Sequence, residues 1–82
     1  MEQQFEQLYE EFSAGKDMIK TFEHIDTGIP RWRIHIFEKN TAPSGGDREM
    51  LFAEDPDRDK CLQKAIDLLS TRMRHEKARK AQ

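Results

Sequence analysis

Apolar side chains fall in four stretches along this 82-residue chain, each with a helical or a strand period. In the first, Phe5, Leu8, Tyr9 and Phe12 recur at i, i+3, i+4 and i+7, which puts four large groups on one stripe of a helix over roughly residues 2–13. Glu2, Glu6, Glu10 and Glu11 occupy its other faces, and acids near a helix start suit its dipole.

Gly15 interrupts this pattern, at a cost of about 1 kcal/mol relative to Ala inside a helix. Met18, Ile19, Phe22 and Ile25 follow, again at helical spacing, with Asp17 available as a cap. Gly28 and Pro30 then stop the element. Residues 14–27 therefore admit three readings: the second half of one helix kinked near Gly15, a second helix after a short turn, or a strand over 18–25. Thr21 and Phe22 suit a strand, but the spacing of Ile19, Phe22 and Ile25 favours a helix.

The third stretch has period two. Over residues 31–39, Trp32, Ile34 and Ile36 fall on one side of an extended strand and Arg31, Arg33 and His35 on the other. Turn formers fill residues 40–47, and 48–54 read as a second strand, with Met50 and Phe52 on one face and Leu51 and Ala53 on the other. The two strands make a hairpin. In the fourth stretch, Asp55 is placed to cap a helix and Pro56 to open it. Cys61, Leu62, Ala65, Ile66, Leu68, Leu69 and Met73 give that helix a wide apolar stripe, and a basic, polar tail follows at about 74–82.

The fold class expected is α+β in a single domain over 1–82: an N-terminal helix or helical hairpin, a β-hairpin, and a C-terminal helix packed on the small sheet. A two-stranded sheet is barely stable alone. Joining two copies through their open strand edges cures that, so a homodimer is expected.

Composition narrows the location and class. With one cysteine, Cys61, no internal disulfide is possible. No basic–apolar leader opens the sequence and no run approaches a membrane span of about 18 apolar residues, so a cytoplasmic protein without membrane partners is expected. The formal net charge of −2 argues against a wholly basic nucleic-acid binder, but the charge is uneven. Residues 1–29 carry a net −5, 31–39 a net +2, 40–70 a net −3 and 71–82 a net +4.

Candidate chemistry is sparse. Arg31, Arg33 and His35 project from one strand face at about 7 Å spacing, a row of donors able to grip a phosphate or carboxylate. The competing reading pairs them with an acid on the neighbouring strand, for instance Glu49. Ser44, Gly45 and Gly46 can lend backbone N–H groups to the same anion. In the tail, Arg72, Arg74, Lys77, Arg79 and Lys80 are candidates for a partner or nucleic-acid contact, although Asp55, Asp57 and Asp59 at the helix start repel phosphate. His24, His35 and His75 lie in different elements, so no metal site is expected, and no cofactor is implied. Cys61 matches the apolar stripe and reads as a buried small hydrophobe. Trp32 reads as a core anchor.

No catalytic motif is present, and the chain reads as a non-enzymatic binding protein of the regulator or inhibitor type. Its expected partner is an acidic protein surface or an anionic ligand met by the basic strand face. The alternatives are a binder of a phosphorylated small molecule or nucleotide, and a nucleic-acid-binding regulator using the basic tail.

Overall fold

The computed structural model describes residues 1–39 and 46–80, with side chains through Ala78. The order is α1 (Glu2–Ser13), β1 (Met18–Ile25), β2 (Arg31–Glu38), β3 (Arg48–Asp55) and α2 (Arg58–Lys80), an α+β arrangement. The strands form an antiparallel sheet in the order β1-β2-β3.

Helix α1 follows its stripe: Phe5 and Phe12 are buried, and Leu8 and Tyr9 pack against the same core. It ends at Ser13, and Gly15, with a φ of +74°, lets the chain reverse into β1.

Residues 18–25 are a strand, not the helix that their spacing favoured. The alternation is there but disguised. Met18, Phe22 and the polar Lys20 point toward the helices, opposite Glu38, Ile34 and Ile36. Lys20 fills an inward position because its stem and ammonium lie over the Tyr9 and Phe5 rings, 4.8 and 5.5 Å from the centroids, and the ammonium ends on Glu6. A lysine that behaves as an amphipathic spacer reads as polar in a hydrophobicity pattern, and the period of two is lost. With β1 in place the sheet has three strands, so the instability of a bare hairpin no longer argues for a dimer.

Ile34 and Ile36 of β2 are fully buried, and Trp32 on the same side is half-buried at the margin of the core. Ile34 lies between Phe22 and Ala53, and Ile36 between Lys20 and Leu51. The β2–β3 ladder then slips: Phe37 pairs with Glu49, leaving Met50 as an extra residue. This bulge corrects the expected faces of β3. Met50 and its neighbour Leu51 are both buried, while Phe52 is turned outward and 42% exposed.

Helix α2 begins two residues later than expected, because β3 continues to Asp55, which pairs with Trp32. The cap is Asp57, whose Oδ1 accepts the Lys60 N–H at 3.0 Å. Asp55 instead accepts the Asp57 N–H at 2.8 Å and holds Lys64 at 2.8 Å, and Pro56 lies in the turn between them. From α2, Cys61, Leu62, Ala65, Ile66 and Leu69 enter the core with Met73 against its edge, but Leu68 is 44% exposed. At about 1.5 Å per residue α2 is about 35 Å long, against about 26 Å for an eight-residue strand, so its basic end overhangs the sheet as a helix.

Both helices lie on one side of the sheet, packed against each other, with α2 above β2 and β3. The opposite sheet face has no layer over it among the described residues. Among those residues no helix is long and apolar enough to cross a membrane.

Candidate binding face

Alternation places Arg31, Arg33 and His35 on the uncovered face, as expected from the sequence. They line up along β2 with Phe37. On one flank are Ile19, Thr21, Glu23 and Ile25 of β1, opposite Phe37, His35, Arg33 and Arg31 in turn. On the other are Phe52, opposite His35, and Glu54, opposite Arg33.

Glu54 gathers both guanidinium groups. Its Oε2 accepts from Arg33 Nη2 at 2.8 Å and Nε at 2.9 Å, and its Oε1 lies 3.2 Å from Arg31 Nε. The acid facing the arginines is therefore Glu54 and not Glu49, which the register puts opposite Phe37. Arg33's hydrogen bonds hold the Glu54 carboxyl below its ordinary range; partial desolvation opposes them, and Arg31 adds to the lowering.

Arg31 has a second task. Its Nη1 donates to the carbonyl oxygens of Thr27 and Ile29 at 3.0 and 3.1 Å. These belong to the β1–β2 turn, where Gly28 has a φ of +72° and Ile29 is 72% exposed. Glu54 orients Arg31, and Arg31 ties down a turn that presents an isoleucine at its tip. Each arginine keeps one terminal nitrogen, Nη2 of Arg31 and Nη1 of Arg33, with no partner among the described residues.

The other end of the face is aromatic. The His35 ring centroid lies 4.7 Å from that of Phe52 and 5.2 Å from that of Phe37, and the Arg33 guanidinium is 5.8 Å from the Phe52 ring. Of the proposed glycine-rich cradle, only Gly46 is described, and it stands in open space. Ser44 and Gly45 lie outside the described residues.

The basic tail is divided in its roles. Arg72 Nη1 donates to the Met50 carbonyl at 2.7 Å, so it serves the bulge in β3. Arg74 reaches Thr71 Oγ1 at 3.4 Å on its own helix, and Lys77 is exposed. Arg79 and Lys80 extend α2, and their side chains lie outside the described set. Between the start of β3 and the second half of α2 runs a groove of about 970 Å³ whose walls include Arg48, Leu51, Phe52, Leu68 and His75. The groove is not legible in the sequence, where Leu68 falls on the core stripe of α2 and Phe52 on one strand face with Met50; the position of Leu68 at the flank of its stripe is the available signal.

Cys61 is buried. Its thiol donates weakly to the carbonyls of Trp32 and Ala53, and desolvation first, then the nearby Asp55 charge, push its pKa up, away from a reactive thiolate. Among the described residues no three His, Cys, Asp or Glu side chains converge on a point where a metal ion could sit. No family model matches this chain, and no curated protein or solved structure is detectably similar to it.

Proposed function

We propose that this chain is a non-catalytic binding protein, a regulator or inhibitor by size and type, that meets a protein partner with the uncovered face of its sheet. The single observation that carries the reading is the content of that face: aromatic groups at Phe37 and Phe52 beside His35, at one end of a sheet side with no layer over it among the described residues. An antiparallel sheet can leave one face to water, but such a face ordinarily alternates to polar residues. An exposed Phe52 and a half-buried Phe37 next to an ordered arginine pair have the composition of a contact centre.

The arginines set the preference for an acidic partner surface. Glu54 fixes both side chains in place, so their remaining nitrogens, Arg31 Nη2 and Arg33 Nη1, meet a carboxylate with little further ordering. A two-armed grip by Arg33 requires Glu54 to be displaced, for a free phosphate as for a carboxylate, so either anion meets the two single nitrogens.

The test is comparative affinity capture. Wild-type protein retains a partner that Phe52→Glu and Arg33→Glu both lose, while Gln63→Glu, on the exposed side of α2, retains it. Equal retention by all four proteins rejects the face as the contact surface.

A further inference from the structure

The two edges of the sheet are treated differently. On β3, the Glu54 carbonyl accepts from Lys64 Nζ at 3.1 Å and the Met50 carbonyl from Arg72 Nη1 at 2.7 Å, both reaching across from α2. Long cationic side chains and a bulge are devices that stop a strand edge from pairing with another chain. On β1, no side chain among the described residues bonds a backbone carbonyl, there is no bulge, and all eight residues match β2 without a slip. None of the eight is buried.

The sequence of β1 is also complementary to itself. Antiparallel pairing about a two-fold axis at Phe22 sets Phe22 against Phe22, Ile19 against Ile25, and Thr21 against Glu23 of the second copy. Ile19 is 36% exposed and Ile25 partly so, and each gains an apolar neighbour. The Thr21 hydroxyl oxygen is shielded from solvent and has no hydrogen-bond partner among the described residues. Beside Glu23 of the second copy it gains an acceptor by rotating toward the strand edge. Moving the axis by one residue to Thr21 sets Ile19 against Glu23 and Lys20 against Phe22, so side-chain chemistry selects the first register.

We infer that β1 is a dimerisation edge, and that its occupant is β1 of a second copy, paired antiparallel about Phe22 to give one six-stranded sheet. Such an interface is isologous, and closes without leaving a further open β1 edge. It is independent of the binding-face reading, because it uses the backbone edge and not the sheet surface. It does have a consequence for that face: two uncovered faces become one continuous surface.

Sedimentation equilibrium from low micromolar to about 300 μM, a range that covers weak self-association, tests it. The wild type reaches twice the monomer mass. Ile19→Lys alone and Ile25→Glu alone weaken the dimer, and the double variant restores it, because each lysine then faces a glutamate. Thr21→Glu weakens association and Thr21→Lys strengthens it, by about fivefold or less per pair. The opposite signs separate pairing from loss of fold, and circular dichroism of each variant checks the fold directly. A wild-type monomer throughout the range, single variants that associate like wild type, or a double variant that stays monomeric overturns the proposal.

Discussion

Arg72 donates to the carbonyl oxygen of Met50 at 2.7 Å, across the position where β3 carries one residue more than β2. A bulge leaves backbone groups outside the ladder, and here a guanidinium from α2 takes one of them. The same bond pins the second half of α2 beside β3. Arg72→Ala should therefore cost about 1.5–3 kcal/mol, the range for a hydrogen bond to a charged group. Urea unfolding monitored by circular dichroism measures it, and Arg74→Ala, whose side chain bonds Thr71 of its own helix, serves as a near-neutral control.

The Glu54 carboxyl is held below its ordinary value, with Arg33 as the first cause. A depressed carboxyl pKa contributes stability that is complete above the unfolded-state value, near 4.5, and is lost as pH falls through the lower folded value. Stability should therefore decline on acidification below about pH 4.5, and the decline should be shallower in Glu54→Gln, which has no proton to take up. Thermal melts between pH 3 and pH 7 read the difference; identical acid slopes in the two proteins contradict the ion-pair assignment.

Cys61 has no measurable exposure and a raised pKa, so its thiol should resist alkylation in the folded state. Reaction should occur only through opening of the α2–sheet contact, at a rate that tracks stability. Labelling with iodoacetamide, with and without urea, tests this. Fast labelling of the folded protein contradicts the packing described for the start of α2.

Lys20 gives a test of the β1 assignment. As an inward residue over Phe5 and Tyr9 it should tolerate Lys20→Met with a change within about 1.5 kcal/mol, as the stem packing is kept. Lys20→Glu should be worse, because it brings a second carboxylate against Glu6. A surface lysine would show neither asymmetry.

These residues also explain what the sequence made legible. Period alone placed α1, β2 and α2, because Phe5 to Phe12, Trp32 to Ile36 and Cys61 to Met73 each bury one face with few exceptions. It failed on β1, where Lys20 stands at an inward position and where Ile19, Phe22 and Ile25 match a helical stripe by coincidence. The arginine face was legible, since side-chain direction follows from alternation. Its partner was not: the strand register sets Glu54 opposite Arg33 and leaves Glu49 several residues away, opposite Phe37. Neither register nor bulge is written in composition. The cap of α2 was misplaced for a similar reason, since Asp55 and Asp57 are equivalent as sequence and only the pairing of Asp55 with Trp32 decides between them.

Contact between the uncovered sheet face and the partner is best read by photo-crosslinking from single positions. A benzophenone side chain is placed at position 37, 52 or 63 in otherwise wild-type protein, and adducts with the captured partner are mapped. Adducts are expected from 37 and 52 and none from 63. Adducts from 63 alone, or from none of the three while the partner stays bound, contradict that contact.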